Sequence, residues 1–522
     1  MKKLKKLFAV MLSLVMVLAM GITSFAETGE KPSKDDTKTA TVQNVEATAT
    51  VTAYQITKGK YNGNGFIGYE AVQDVTLANV LAPTSDEVTA IAKDTALLAK
   101  LPNKPMTTTT KTGLASFTAE LNAGYWIVIV SGTVDEVYNP MLVGVYYSAS
   151  GSDSTMTSTP VDANSNWTLE TEDAYAKSTQ PSLTKIITNG EADKHSDVAL
   201  GDTVSYKIET AIPSYSKQYG NVTVKITDTL DNGLTLNKES VKINGKAVDA
   251  KMGELTTSEH SFVFTVKSEY ALAHGGEAII ITYDAEVNTD ATLNFDPNVN
   301  EATLEYTNNP NGNTKTIESE TYTYTFALGA ALSQSITNFN QKVNQIVKVD
   351  ADGKTITTKK ELSETEKEKY IQVGKGATFT LTSMTNGNVY TATTGEDGAL
   401  TFVGLDAGTY TLVETVAPEG FKLDDTPHTV VITPTYGNND KLVKLEITID
   451  DNPTSTYEVS YETTGEVKVT TNKTITTNIA NTKLSALPST GGIGTTIFTI
   501  VGCGIMIAAA GLFFASRRKE NR

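Results

Sequence analysis

Val222-Thr-Val224-Lys-Ile226-Thr-Asp228 is the stretch that decides the fold of this chain. Its apolar residues recur at every second position, which is the period of a β-strand with one buried face. Similar runs rich in Thr, Val, Tyr and Ile occur along most of the chain, separated by Asn-Gly and Asp-Gly pairs that favour tight hairpin turns. The sequence therefore predicts an all-β chain that is built from β-sandwiches.

The chain is long enough for several such sandwiches. Without its two apolar ends, about 460 residues remain, enough for three domains of about 150 residues each. Boundaries are expected near residues 180 and 335, where the composition changes. Helix is scarce: 85–101 has helical spacing, and 362–370 predicts a short charged helix. The strand candidates are 49–56, 125–130, 203–210, 222–227, 261–266, 278–287, 377–381, 410–414 and 467–479.

Polar side chains share the buried face of strands in the middle of the chain. Asp228 lies in phase with the apolar residues of its strand, and Lys185 and Asn300 lie in phase with theirs. Asn308 is also in phase and is an alternative to Asn300. Lysine and carboxylate side chains are almost never fully buried unless they are paired. Alternatively, such a charge reaches solvent from a strand end, or the register of the strand is shifted.

The third part of the chain repeats the set with Lys348, Glu414 and Asn481, all in phase with apolar neighbours. Asn478 is out of phase and is therefore disfavoured. In the first part Glu120 is out of phase, so no such set is expected there. Two complete sets of lysine, acid and asparagine favour a shared chemistry over chance.

These three residue types can form an amide bond. In an apolar site, desolvation favours the neutral amine of lysine and the protonated form of a carboxyl. The amine is then a nucleophile, while the acid polarises the asparagine carbonyl and returns a proton to the departing ammonia. Fixed proximity supplies the acceleration, because effective molarities reach about 10⁵ to 10⁸ M. The expected product is a Lys–Asn isopeptide bond, with Asp228 and Glu414 as catalysts that act once.

The C-terminus combines Leu487-Pro488-Ser489-Thr490-Gly491, an uncharged apolar run over 493–515 and a basic tail over 517–519. At about 1.5 Å per residue the run can cross a hydrocarbon core of about 30 Å as a helix. The basic tail is expected to stay inside the cell. The pentapeptide resembles the LPxTG motif of Gram-positive bacteria, which sortases cleave between Thr490 and Gly491 before joining the threonine carbonyl to an amine. A plain tail anchor is the alternative.

The N-terminus has the pattern of a signal peptide, in which lysines precede an apolar segment and small residues lead to a cleavage site after Ala26. The only cysteine, Cys503, lies in the C-terminal apolar run, so the exported part is expected to hold no disulfide. A net charge of −17 argues against nucleic acid as a partner. Neither zinc spacing nor a catalytic or cofactor motif is found, so the sequence predicts no metal, no cofactor and no turnover enzyme.

Two parts of the chain resemble isopeptide-forming domains of Gram-positive pilins. Tyr410-Thr-Leu-Val-Glu414-Thr-Val-Ala-Pro418-Glu-Gly420-Phe421 resembles their E-box, ETxAPxGY, with Phe421 in place of tyrosine. The E-box glutamate is the acid of Cna-B-type domains, so the resemblance implies that role for Glu414. The Ile226-Thr-Asp228 strand is similar to the acid-bearing strand of fimbrial isopeptide-forming domains. Both resemblances imply tandem immunoglobulin-like β-sandwiches of the Cna-A and Cna-B types.

The first domain resembles the N-terminal domain of shaft pilins. Their WxxxVxVYPK motif supplies the lysine that accepts the threonine of the next subunit. The corresponding stretch begins at Trp167 and ends in Tyr175-Ala176-Lys177, so the resemblance implies Lys177 as the acceptor. The stretch departs from the motif: Ala176 replaces proline, the valines are missing and the spacing from Trp to Lys is one residue longer. An ordinary surface lysine is the alternative.

The resemblance as a whole implies the major shaft subunit of a sortase-assembled pilus at the cell surface. Its expected partners are further copies of the chain, a class C pilin sortase, a housekeeping sortase, peptidoglycan, accessory pilins and host-surface ligands. The alternatives are a minor pilin, a monomeric wall-anchored adhesin or, from another class, a wall-anchored hydrolase. The expected organisation is a signal peptide at 1–26, an N-terminal pilin domain at 27–180, a fimbrial middle domain at 181–335, a Cna-B-type domain at 336–484 and a sorting signal at 487–522.

Overall fold

Strands with one buried face form most of the computed structural model of this chain. In Val224–Leu230, for example, every second residue is buried, so the alternation seen in the sequence is an alternation of burial. The signal peptide, the LPSTG motif and the helix expected over 362–370 lie outside the described residues. The structure describes residues 30–132, 134–149, 155–216, 219–310, 312–329, 346–349, 351–352, 376–395, 398–463, 465–473, 477–482, 484 and 493–520.

The N-terminal domain contains a five-stranded sheet and several smaller ones. Its strands are β1 (Thr37–Glu46), β2 (Ala49–Gln55), β3 (Thr57–Asn62), β4 (Gly65–Ala71), β5 (Asn103–Met106), β6 (Leu114–Asn122), β7 (Gly124–Gly132), β8 (Val137–Tyr138), β9 (Met141–Ala149), β10 (Val161–Asp162), β11 (Trp167–Thr171), β12 (Ala174–Tyr175) and β13 (Ser178–Thr179). The five-stranded sheet has the order β11-β9-β7-β2-β5, and β1 lies between β12 and β6 in a smaller sheet. The expected helical stretch forms α1 (Ser85–Lys93) and α2 (Thr95–Leu98), separated at Asp94, whose side chain caps α2.

The middle domain has two sheets that enclose one core. Its strands are β14 (Leu183–Ile187), β15 (His195–Asp197), β16 (Thr203–Ala211), β17 (Val224–Leu230), β18 (Leu234–Leu236), β19 (Lys242–Ile243), β20 (Gly253–Thr257), β21 (Ser261–Val266), β22 (Ala278–Val287), β23 (Asn298–Thr307) and β24 (Thr314–Tyr324). One sheet has the order β14-β16-β22-β18, with β19 also paired to β22, and the other has the order β15-β24-β23-β17-β21-β20. A 3₁₀ turn over Lys238–Ser240 and helix α3 (Ser268–Ala273) connect strands.

The third domain is built around a seven-stranded sheet. Its strands are β25 (Phe326–Leu328), β26 (Ile346–Val349), β27 (Thr378–Ser383), β28 (Val389–Thr393), β29 (Ala399–Leu400), β30 (Phe402–Leu405), β31 (Gly408–Val416), β32 (His428–Tyr436), β33 (Leu442–Ile449), β34 (Ser455–Tyr461), β35 (Val467–Lys473) and β36 (Thr477–Ala480). The large sheet has the order β28-β27-β31-β32-β33-β34-β35. A three-stranded sheet, β29-β26-β36, holds β26 and β36 side by side and parallel.

The strand candidates from the sequence all coincide with strands, and the run expected over 467–479 is described as β35 and β36. The described residues fall into two compact units. The first lies within Met1–Ser196, Gly201–Asp290 and Asn298–Tyr322, and the second within Asp197–Leu200, Ala291–Pro297 and Thr323–Arg522. The boundaries expected near residues 180 and 335 make a finer division, which stays a prediction.

The C-terminal helix, α4, runs over Ile493–Glu520. In the part of the chain that the structure describes, no helix combines the length and the hydropathy that crossing a membrane requires. The span expected over 493–515 is therefore not confirmed.

Candidate functional site

The middle domain brings its predicted lysine, acid and asparagine together. β14 buries Leu183, Lys185 and Ile187 on one face, which confirms the predicted phase. The side chains of Lys185, Asp228 and Asn300 are all 0% exposed. Lys185 Nζ donates hydrogen bonds to Asp228 Oδ2 and to Asn300 Oδ1. The amine thus lies against both the acid and the amide that the proposed chemistry needs.

The two sheets of the sandwich supply different members of this set. β17 and β23 are neighbours in one sheet, where Asp228 pairs with Ala302 and Leu230 pairs with Asn300. The acid and the amide therefore lie on the same inward face, one diagonal step apart. Lys185 approaches them from β14, in the opposite sheet. A bond between Lys185 and Asn300 would join the two sheets through the core.

Tyr283, on β22, is a fourth member of the site that the sequence reasoning missed. Its hydroxyl donates to Asp228 Oδ1 (2.8 Å) and accepts from Asn300 Nδ2 (3.0 Å). The rings of Tyr206 and Tyr283 stack with centroids 5.2 Å apart, and Lys185 Nζ lies 5.4 and 5.5 Å from the two centroids. Tyr283 lies on the apolar face of a predicted strand, and a buried phenol needs a hydrogen-bond partner. This position could have indicated from the sequence that Tyr283 belongs to a polar site.

Burial dominates the electrostatics of the middle site. It lowers the pKa of Lys185 to about 8, against the opposing effect of the Asp228 carboxylate. Burial also raises the pKa of Asp228, against the opposing effect of Lys185. Both shifts bring the neutral amine and the protonated acid closer in free energy to the ion pair.

Asn308, the alternative partner, does not lie in this set. It is buried, but its Nδ2 donates to the carbonyl oxygen of Val134 at 2.9 Å, in the N-terminal domain. Tyr219 makes a similar connection, since its hydroxyl donates to the carbonyl oxygen of Tyr138 at 2.9 Å. Asn308 therefore belongs to the contact between the first two domains, and the geometry favours Asn300.

The third domain assembles Lys348, Glu414 and Asn481 in the same way. Each side chain is at most 1% exposed, whereas Asn478 is exposed, as the strand phase predicts. Lys348 lies on β26, and Asn481 directly follows its parallel neighbour β36. Lys348 Nζ lies 3.3 Å from Glu414 Oε1, and Asn481 Nδ2 donates to Glu414 Oε2 at 2.7 Å. Burial lowers the pKa of Lys348, and Glu414 opposes that shift.

Three polar atoms of the third site have no hydrogen-bond partner among the described residues: Lys348 Nζ, Glu414 Oε1 and Asn481 Oδ1. Lys348 Nζ and Glu414 Oε1 still face each other as an ion pair at 3.3 Å, so of the three only Asn481 Oδ1 lacks any described polar partner. A buried polar atom left unpaired costs about 1 to 3 kcal/mol. An amide bond between Lys348 and Asn481 would replace the buried charged amine with a neutral amide N–H.

The E-box continues past its glutamate into a loop that holds the site. Asn481 Nδ2 also donates to the carbonyl oxygen of Lys422 at 2.7 Å, and the backbone N–H of Asp424 donates to Glu414 Oε2 at 3.0 Å. Gly420 has φ +84°, a left-handed conformation that favours glycine. The loop thus fixes both the acid and the amide. The glycine of the motif allows the backbone conformation that this loop requires.

The N-terminal domain has no comparable set among its described residues, where no lysine or carboxylate is buried. Glu120 is exposed and accepts a hydrogen bond from Thr39, as its strand phase predicts. Lys177 is exposed between β12 and β13. It borders an open pocket of about 330 Å³ that is also lined by Met141 and Tyr175. Its side chain is therefore accessible to a reaction partner.

The preceding residues hold Lys177 in place. β12 adds to β1 as a parallel strand, with Ala174 paired to Val42. Ala176 is buried, and its N–H donates to the carbonyl oxygen of Gln43 at 2.9 Å. The lysine therefore lies two residues beyond the end of an ordered edge strand.

Comparison with known proteins identifies the family. The trypsin-resistant surface T6 protein of Streptococcus pyogenes serotype M6 is 30% identical to this chain over 558 residues, covering 97% of this chain and 99% of the relative. Residues 200–310 match the family described as Gram-positive pilin backbone subunit 2, Cna-B-like domain. The chain belongs to the Gram-positive backbone pilins. Further matches are the T6 antigen Ig-like domain at 35–178, the SpaA prealbumin-like fold domain at 355–450 and the LPXTG cell wall anchor motif at 480–522.

A solved structure agrees with this fold. The T6 backbone pilin of serotype M6 Streptococcus pyogenes, described as modular with three domains, has a TM-score of 0.61 and 23% identity, covering 87% of this chain and 100% of that chain. The expected all-β architecture of immunoglobulin-like domains is confirmed. The Cna-B-like description falls on the middle domain, whereas the E-box lies in the part that matches the prealbumin-like family.

This backbone pilin is therefore a subunit of a cell-surface pilus, and its LPXTG motif anchors it to the cell wall. Backbone pilins are structural proteins whose subunits polymerise. The predicted localisation, at the cell surface and anchored to the wall, is thus confirmed.

The burial of the two lysines is testable by chemical labelling. In the native protein an amine-acetylating reagent should modify Lys177, which is exposed, and should leave Lys185 and Lys348 unmodified, because they are at most 1% exposed. Peptide mass spectrometry after labelling measures each site. Modification of Lys185 or Lys348 at the rate of Lys177 would contradict the described packing.

Proposed function

We propose that this chain is the shaft subunit of a sortase-assembled pilus and is strengthened by two internal isopeptide bonds. The bonds join Lys185 to Asn300 and Lys348 to Asn481, with Asp228 and Glu414 as the respective acids. The proposed modules are 27–180, 181–335 and 336–484, after the signal peptide at 1–26 and before the sorting signal at 487–522. The observation that carries the proposal is the burial of two lysine, acid and asparagine sets in two different domains.

The same reaction fits both sites. The ammonium group of the lysine first gives a proton to the carboxylate, which leaves a neutral amine and a protonated acid. The amine attacks the asparagine side-chain carbonyl carbon, the new N–C bond forms and the old C–N bond breaks. One proton passes from the lysine nitrogen, through the acid, to the departing nitrogen, which leaves as ammonia. Proximity in the folded core supplies the acceleration, so no other protein is needed.

Polymerisation would use Lys177, at the end of the N-terminal domain, and Thr490, at the C-terminal end of the exported chain. A class C pilin sortase would cleave the bond between Thr490 and Gly491 and join the threonine carbonyl to Lys177 Nζ of the next copy. A housekeeping sortase would finally transfer the polymer to peptidoglycan. The exposure of Lys177, two residues beyond an ordered strand, supports its role as the acceptor. Accessory pilins and host-surface ligands are the further partners that such a shaft implies.

Intact mass tests the internal bonds. The exported chain, produced without any sortase, should lie about 34 Da below its sequence mass, because each bond releases one ammonia of about 17 Da. Asp228→Ala and Glu414→Ala should each restore about 17 Da, since each removes the proton-transfer group of one site. Asp284→Ala, at a half-buried carboxylate of β22, is the control and should keep the full deficit. A wild-type chain at its full sequence mass would sink the proposal.

Wall extracts test the intermolecular bond. Lys177→Ala should abolish the ladder of high-mass polymers and leave monomer on the wall, because the acceptor amine is gone. Lys111→Ala removes another exposed lysine of the same domain and should keep the ladder. A ladder of unchanged intensity in Lys177→Ala would assign the acceptor to another lysine, and a wild type without a ladder would favour a monomeric adhesin.

Force spectroscopy on single molecules tests whether the load passes through the isopeptide bonds or through the strands between them. Residues between Lys185 and Asn300, and between Lys348 and Asn481, should not extend, whereas the N-terminal domain should unfold. Asn300 lies on β23, so β24 follows the closed loop and should extend as well. Glu414→Ala should release roughly 130 residues, about 450 Å at about 3.4 Å per residue, and leave the middle loop closed.

Asp228→Ala is the matched variant for this measurement. It should release roughly 115 residues, about 390 Å, from the middle domain alone. Full extension of the wild-type middle domain would show that the force does not pass through the Lys185–Asn300 bond.

A further inference from the structure

The Tyr283 hydroxyl lies between the acid and the amide of the middle site. It donates to Asp228 Oδ1 (2.8 Å) and accepts from Asn300 Nδ2 (3.0 Å). Its ring is buried, stacked on Tyr206 and edge-on to Phe262, with centroids 5.2 and 5.0 Å away. These contacts hold the hydroxyl in a fixed position between two groups that exchange a proton in the reaction.

The carboxylate of Asp228 does not reach the departing nitrogen by itself. One of its oxygens accepts from Lys185 and the other accepts from Tyr283, and it has no described hydrogen bond to Asn300 Nδ2. A proton that leaves the acid toward that nitrogen therefore has a continuous path only through the phenol oxygen.

In the third site the acid contacts the departing nitrogen directly, without a phenol between them. Glutamate is one methylene longer than aspartate, and Glu414 Oε2 accepts directly from Asn481 Nδ2 at 2.7 Å. The aromatic ring beside the amine there belongs to Phe379, 5.4 Å from Lys348 Nζ, which has no hydroxyl. The longer acid makes the contact that the shorter acid makes through a tyrosine.

We propose that Tyr283 is a catalytic residue of the middle domain that relays a proton from Asp228 to the departing nitrogen of Asn300. This inference rests on the isopeptide reaction proposed above. It assigns to one domain a relayed proton path and to the other a direct one.

Every proton is conserved along this relay. The first transfer from Lys185 puts a proton on Asp228 Oδ2, the oxygen that accepts from the lysine amine. Half a turn of the neutral carboxyl group then places this O–H against the Tyr283 oxygen and the bare Oδ1 against the lysine, while the phenol turns its own proton toward Asn300 Nδ2. As the lysine nitrogen bonds to the asparagine carbonyl carbon, it gives a second proton to Oδ1. The Oδ2 proton moves to the phenol oxygen, the phenol proton moves to Nδ2, the old C–N bond breaks and ammonia leaves.

The environment of the phenol requires these transfers to occur together. Burial raises the pKa of Tyr283 well above its ordinary value, and the nearby Asp228 adds to the shift. A free phenolate is therefore strongly disfavoured in this core. The hydroxyl gives up its proton only as it receives another.

The test follows both bonds in the same molecule over time. The whole exported chain is made in a short cell-free synthesis, samples are quenched in acid and denaturant, and the two cross-linked peptides are quantified by mass spectrometry. In Tyr283→Phe the Lys185–Asn300 bond should form about 100-fold more slowly or worse, which is the usual effect of losing one acid–base group. The Lys348–Asn481 bond should keep its wild-type rate and serves as the internal clock.

Tyr206→Phe is the matched control, because its ring lies as close to Lys185 Nζ as that of Tyr283. It should form the middle bond at nearly the wild-type rate. A wild-type rate in Tyr283→Phe, or equal slowing in the two variants, would overturn the relay. A wild-type chain without the Lys185–Asn300 bond would instead refute the proposed function of the middle domain.

A second measurement keeps every tyrosine in place. Uniform 3-fluorotyrosine retains the ring and the hydroxyl but makes the phenol more acidic, so it should change the rate of the middle bond by about threefold or more. The third bond, which has a direct proton path, should not change. An unchanged middle rate would refute the relay even if Tyr283→Phe proved slow because of misfolding.

Discussion

A buried lysine amine beside a buried carboxyl is the interaction on which both internal sites depend. Removing one partner of such a buried pair costs about 3 to 5 kcal/mol, because the other charge is then left uncompensated. The proposed reaction removes the pair altogether, since its product is a neutral amide beside a protonated acid. The free-energy cost of burying two charges in the core therefore favours formation of the bond.

Strand phase was enough to find the principal residues of both sites. Alternation placed Lys185, Asp228 and Asn300 on inward faces, and the structure buries all three. It could not separate Asn300 from Asn308, because both are inward and only the packing of the first two domains shows that Asn308 faces Val134. The alternation within one strand predicts which of its side chains are buried. Which groups those side chains contact depends on how several strands pack together.

The parts that the sequence did not predict depend on contacts between distant segments. Tyr283 meets Asp228 and Asn300 because β22 lies in the sheet opposite β17 and β23. In the loop after the E-box, the backbone carbonyl of Lys422 and the backbone N–H of Asp424 bind the amide and the acid of the third site. Every residue has such backbone groups, so the sequence does not show which of them will make these contacts. The helix expected over 85–101 was right in kind, but Asp94 caps a new helix where one continuous helix had been expected.

The parallel pairing of β26 and β36 has a mechanical consequence of its own. Ile346 pairs with Thr477 and Val349 with Ala480, so the entry of one strand and the exit of the other lie at opposite ends of the ladder. Tension applied to the two ends of the third domain would therefore slide the strands past each other, which strains all of their hydrogen bonds at once. In an antiparallel pair pulled at one end, the hydrogen bonds would instead break one after another. The third domain thus resists stretching in shear even before its lysine has reacted.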